Sequence, residues 1–201
     1  MPSEDFSDKK TVRAQFLAAR RLLSAQAVEQ AAADLARHAL ELPELAGAGT
    51  VAAYVSVGTE PGTRALLDAL RARGTRVLLP VLLPDNDLDW GEYRGPGRLV
   101  RAGRGLLEPD GPRLGPDAVT TADAVLLPGL AVDRRGLRLG RGGGSYDRVL
   151  ARLERAGARP APVVLLYGSE VVARVPAEAH DRPVRAAVTP EGVHRFPPDG
   201  A

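Results

Sequence analysis

ADAVLLPGLAVDRRGLRLGRGGGSYDRVLARLERAG, residues 122–157, carries the order of elements that decides the fold. "ADAVLLPG" (122–129) is a short, continuous apolar run, as expected of a strand buried on both faces of a parallel sheet. "SYDRVLARLERAG" (145–157) has helical spacing and starts near Gly144. Between them lies a loop dense in glycine and arginine. Ligands of parallel α/β sheets bind at the carboxyl ends of strands. A helix N-terminus there offers free N–H groups and the positive dipole end. Glycines allow close backbone approach and positive φ. Arg138, Arg141 and Arg148 add charge. The loop therefore reads either as an anion cradle or as a surface turn in a glycine-rich chain. It is not a P-loop, since no Lys-Ser or Lys-Thr follows, and no acid-tipped strand follows as in a dinucleotide site.

Outward from this unit the alternation continues. Val12, Phe16, Ala19 and Leu23 mark a first helix capped by Ser7. Val28, Ala32, Leu35 and Ala39 mark a second, ended by Pro43. "TVAAYVSV" (50–57) is a buried strand. "PGTRALLDALRARG" (61–74) is a helix with Pro61 near its start and Gly74 as its stop. "TRVLLPVL" (75–82), "APVVLLYG" (161–168) and "VRAAVTP" (184–190) are further strands, and "LDWGEY" (88–93) is a short one inside a Gly- and Pro-rich stretch. Strands alternating with helices predict an α/β fold: a layered, mainly parallel β-sheet flanked by helices. With no internal repeat and no clean linker, residues 1–201 are expected to form one domain, with 1–6 and 195–201 as loose tails.

Composition narrows the function classes. Lys and Arg number 27 against 25 Asp and Glu, a net charge of +2, which gives no broad field for nucleic acid. Aromatics are 4%, too few for base-stacking platforms. There are no cysteines, which excludes disulfides, thiolate catalysis and Cys-ligated metal. The longest uncharged run, Leu45 to Thr59, is too short and polar to span a bilayer. "MPSEDFSDKK" has no signal-peptide core, so a cytoplasmic protein is expected. His38, His180 and His194 form no ligand spacing.

"LLPGLAVDRRGLRLGRGGGSYDRVL" (126–150) resembles the signature of the 5-formyltetrahydrofolate cyclo-ligase (methenyltetrahydrofolate synthetase) family. "KKTVR" (9–13), "YVSVGTEPGT" (54–63), "GLLEP" (105–109) and "VPAEAHDRPV" (175–184) fall in the family's order. The resemblance implies a cyclo-ligase fold of the NagB-RpiA-CoA-transferase-like class. It also implies ATP- and Mg²⁺-dependent conversion of 5-formyltetrahydrofolate to 5,10-methenyltetrahydrofolate by a monomer, with no nucleic-acid or membrane partner. Lys9, Lys10, Thr11, Val12 and Arg13, and Arg138, Leu139, Gly140, Arg141, Gly142, Gly143, Gly144, Ser145 and Tyr146, would bind ATP. Arg13, Val55, Glu60, Arg141, Gly142, Gly143, Gly144 and Ser145 would contact the folate, with Arg141 and Gly143 at the reacting groups. Asp147 and Asp181 would serve the metal, since Mg²⁺ takes carboxylates together with phosphates and waters.

The same residues have blander readings. Lys9 and Arg13 fit a solvated helix face, Asp147 a first-turn acid, Asp181 a turn residue before Pro183, Glu60 a helix N-terminal acid beside Pro61, and Val55 sheet core. The chain also departs from the family pattern. Ser145 replaces a tyrosine, a loss of stacking worth roughly 1–3 kcal/mol. Val132 replaces a phenylalanine, Gly143 a lysine of some relatives, and Arg185 an acid expected near the metal. These departures keep a rival open, a non-catalytic folate- or nucleotide-binding relative. A sugar-phosphate isomerase on a similar sheet would not need the N-terminal ATP segment.

Overall fold

The computed structural model describes residues 8–197. The Ser7 cap and the tails at 1–6 and beyond 197 lie outside them. Helix α1 (Lys9–Arg21) is capped by Asp8, whose carboxylate accepts from the Lys10 N–H. Helix α2 (Ala25–Glu41) carries the Ser24 cap, and Pro43 opens a short helix α3 (Pro43–Ala46). Strand β1 (Thr50–Ala52), helix α4 (Arg64–Ala72), strands β2 (Arg76–Leu82) and β3 (Leu88–Glu92) follow. A hairpin β4 (Leu99–Arg101) and β5 (Leu107–Pro109) comes next, then β6 (Ala124–Pro128), β7 (Ala131–Asp133) and β8 (Arg138–Leu139). Helix α5 (Ser145–Arg155), β9 (Ala161–Leu165), β10 (Val171–Val172), β11 (Ala186–Thr189) and β12 (Gly192–Arg195) complete the chain.

The main sheet has the order β12-β11-β9-β6-β1-β2-β3. Its five inner strands are parallel, and β3 and β12 close the edges antiparallel. Alternate residues feed opposite faces. Val51, Ala124, Leu126, Val163 and Leu165 pack with Leu35, Leu66 and Leu70 of α2 and α4. Ala52, Val125, Leu127 and Val164 pack with Val149 and Leu153 of α5. Two buried faces explain why these strands read as unbroken apolar runs.

Some details differ from the sequence expectation. The inward face of α1 runs Val12, Phe16, Arg20, four residues apart; Ala19 is exposed and Leu23 lies past the helix end. Helix α4 starts three residues after Pro61, so Glu60 lies in a loop and not in a helical first turn. Arg195 closes β12 and pairs with Glu44, and the Phe196 N–H donates to the Arg185 carbonyl, so neither belongs to a loose tail. Val132 is fully buried, as a core substitution would be.

Topology locates the site. From β1 the chain crosses through α4 to β2 on one side. From β6 it crosses through α5 to β9 on the other. The two connections diverge between the adjacent carboxyl ends of β1 and β6, which is the switch point where such sheets open a crevice.

Candidate active site

A cavity of about 310 Å³ lies at that switch point. Val55, Glu60, Arg138 and residues 140–147 all line it. The glycine loop is therefore one wall of a pocket and not a free surface turn. Gly144, left-handed at φ 75°, caps α5 without a side-chain hydrogen bond, so the first N–H groups of the helix remain available to an anion.

The N-terminal segment meets the loop through one residue. Arg13 Nε donates to the Gly140 carbonyl at 2.8 Å. Gly142 has φ 96°, and a Cβ there would lie 3.2 Å from the Arg13 guanidinium. Gly142→Ala is expected to be disfavoured on both counts, costing about 1–3 kcal/mol of stability, which a thermal melt checks. Gly143 differs: a Cβ there meets nothing within 4 Å, so the position is open to a larger side chain. Lys10 and Thr11 are exposed, while Val12 and Leu139 pack in a small cluster with Ala131 and Val175. None of these four side chains lines the cavity.

Arg138 is buried beneath the loop. It donates to the Pro128 carbonyl at 2.9 Å and to Asp147 Oδ1 at 3.2 Å. A Cβ on Gly140 would sit 2.7 Å from its Nη1, so the glycine makes room for it. Burial pulls the Arg138 pKa down, opposed by Asp147, Tyr146 and Asp181. Both expected metal acids thus act on one guanidinium. Asp147 faces the cavity and is half exposed. Asp181 is engaged by the Glu178 N–H at 2.8 Å and by Lys9 Nζ at 3.2 Å. The fold also brings His180 to Glu178 and Asp181, a grouping that sequence spacing had not suggested; the Lys9 ammonium already serves both acids. Arg185 stands at the start of β11, at the opposite end of the parallel strands from the cavity. It lines a separate hollow with Arg195 and Phe196, so its replacement of an acid does not touch the cavity.

Glu60 is buried, with Oε2 accepting from the Val57 N–H at 2.8 Å and Oε1 3.4 Å from Arg141 Nε. Thr63 fastens this loop by accepting from the Ser56 N–H and donating to the Tyr54 carbonyl, which accounts for the Glu-x-x-Thr spacing. Burial raises the Glu60 pKa, against the Val57 N–H and the charges of Arg141 and Arg20. Tyr54, on this wall, and Arg20, which does not line the cavity, were not legible in the sequence. Tyr54 lines the cavity with a buried hydroxyl that has no protein partner, and burial together with the Glu60 charge keeps it protonated. Arg20 forms a buried pair with Glu170, whose carboxylate also accepts from the Tyr167 N–H, and Tyr167 donates to the Thr59 carbonyl next to Glu60. Only Tyr54 had any signal, as the neighbour of Val55.

A family model described as the 5-formyltetrahydrofolate cyclo-ligase family matches residues 5–190. The chain belongs to that family. It is 43% identical over 188 residues to a Mycolicibacterium smegmatis protein named 5-formyltetrahydrofolate cyclo-ligase, covering 91% of this chain and 94% of the relative. An Escherichia coli protein of the same name is 31% identical over 176 residues, 87% and 96% of the two chains. Among solved structures, Aquifex aeolicus 5,10-methenyltetrahydrofolate synthetase superposes with a TM-score of 0.80 at 27% identity, over 96% of this chain and 95% of that one. The Mycoplasma pneumoniae synthetase shares the fold at a TM-score of 0.70 and 19% identity. The family thus has the mainly parallel α/β sheet seen here. No helix among the described residues is long and apolar enough to cross a membrane.

Proposed function

We propose that this chain binds ATP and 5-formyltetrahydrofolate in the cavity and closes the folate ring to 5,10-methenyltetrahydrofolate. The observation that carries the reading is convergence. A glycine loop at the α5 N-terminus and a buried carboxylate after β1 line one cavity, and an arginine from α1 holds that loop at Gly140, on the chain of a family named for this reaction.

The chemistry needs little covalent help from the protein. The formamide oxygen is a poor leaving group. Transfer of the γ-phosphoryl to that oxygen releases ADP and activates the formyl carbon. N10 of the folate then attacks this carbon, its proton is released, and the C–O bond breaks to free phosphate. The enzyme holds donor and acceptor in line and neutralises charge. The α5 N–H groups, Arg141 and Arg13 suit the phosphates, and Glu60 and the Tyr54 hydroxyl suit the pterin's donors and acceptors. Asp147 presents a carboxylate on the cavity wall, an oxygen donor of the kind Mg²⁺ takes. Asp147, with Asp181, would hold the ion, which would supply charge neutralisation at the phosphates.

The test mixes protein, 5-formyltetrahydrofolate, ATP and Mg²⁺ and follows the ultraviolet absorbance of the methenyl product. ATP-dependent growth is expected. Folate or ATP binding without product would instead favour a non-catalytic relative. A pH profile adds a second check. Ionised Glu60 is the form that accepts from the pterin, so kcat/KM should fall as pH drops through its raised pKa, above the ordinary carboxylate range. The stability linkage runs the other way: the cost of burying the charge is full above the raised pKa and relieved as pH falls to the ordinary range. Glu60→Gln should remove the acid limb.

A further inference from the structure

Two non-glycine residues among those described have positive φ, Asn86 at 65° and Arg104 at 61°. They belong to different turns, β2–β3 and the tip of the β4–β5 hairpin, yet Arg104 Nη1 donates to Asn86 Oδ1 at 3.1 Å. A left-handed backbone is disfavoured for arginine and, where it persists, points to function. Arg104 lines the same cavity as the glycine loop, together with Leu82, Leu88, Leu106 and Leu107. The sheet order puts the loop beside β6, and β5 packs on β2 and β3, so Arg104 flanks the other side. Asn86 is held there. Its neighbours Asp85 and Asp87 are engaged by Arg148 and Arg152 of α5. Asp87 is thereby paired, the Asp85 backbone carbonyl is held by Arg148, and Arg104 has no carboxylate partner among the described residues.

We propose that Arg104, braced by Asn86, binds the glutamyl carboxylates of the folate, with the four leucines receiving the aminobenzoyl ring. A guanidinium without a carboxylate partner is a bidentate carboxylate receptor, and the leucines that line the cavity with it suit the flat ring joining pterin to glutamate. This assignment rests on the folate reading above and adds where the tail leaves: at the exposed mouth, where further glutamates extend into water.

The experiment compares KM for 5-formyltetrahydrofolate and for 5-formyltetrahydropteroate, which lacks the glutamate. The wild type should prefer the glutamate-bearing substrate by about tenfold or more, as expected for a charge-assisted hydrogen bond. Arg104→Gly, which relieves the left-handed backbone, should reduce that preference to within about threefold without lowering the melting temperature. Arg104→Lys should keep part of it. A wild type without the preference, or a glycine variant that retains it, overturns the assignment. A wild type that binds neither compound overturns the folate reading and this assignment with it.

Discussion

Glu170→Ala is expected to destabilise the protein by about 3–5 kcal/mol, the cost of leaving one member of a buried ion pair alone. The side chains of Arg20 and Glu170 are 1% and 3% exposed, and their bonds are 2.6 and 2.9 Å. Burial by itself would lower the Arg20 pKa, but the hydrogen bond and charge of Glu170 outweigh it and hold it above the usual value. An arginine keeps its charge even so, and without Glu170 the buried guanidinium would be left with the Gly129 carbonyl at 2.7 Å, the Tyr167 ring at 5.6 Å and the charge of Glu60. The backbone N–H of Tyr167 loses its acceptor too. For a chain of this length the melting temperature should drop by roughly 6–20 °C. Replacing both partners, Arg20→Met with Glu170→Leu, should recover much of the loss, because no charge is then stranded. Chemical and thermal unfolding of the three variants measures this. A loss below about 1 kcal/mol for Glu170→Ala would mean that water reaches the pair.

Asp147→Asn should reduce turnover at limiting Mg²⁺ by at least ten- to a hundredfold, the range seen when even groups that merely orient a metal ligand are removed. The substitution keeps size and removes one negative charge from the cavity wall. Stability should change by less than about 1 kcal/mol, because the carboxylate is 53% exposed and its pairing with Arg138 is screened by solvent. Activity measured across a Mg²⁺ series, with circular dichroism as the control for folding, separates the two effects. Near-wild-type turnover at limiting Mg²⁺ would overturn the proposal that Asp147 holds a metal.

The Glu170 and Asp147 cases differ in what the sequence discloses. Asp147 is part of a long contiguous motif, and its place in the first turn of α5 follows from local spacing. Arg20 looks like any exposed arginine in an arginine-rich chain. Its burial depends on Glu170, 150 residues away, and no local periodicity carries that distance. The site divides likewise. Glu60, the glycine loop and the αβ alternation are legible because each is a local pattern. The hairpin β4–β5, the short strands β7, β8 and β10, and the edge strand β12 are not, because Gly- and Pro-rich or half-exposed segments have little apolar signal.

By itself the amino-acid sequence determined the layered, mainly parallel sheet, since strands buried on both faces must be apolar throughout, and it marked the loop and acids that a ligand would meet. Tertiary structure decided which of them meet. Arg13 reaches Gly140 across 127 residues, Leu139 and Val12 turn into the core, Arg185 falls at the far end of the sheet, and Arg104 comes to the cavity mouth. The physical reason is that periodicity reports which face of an element is buried, whereas a site is made by the order in which strands pair, and that order follows from packing between distant segments.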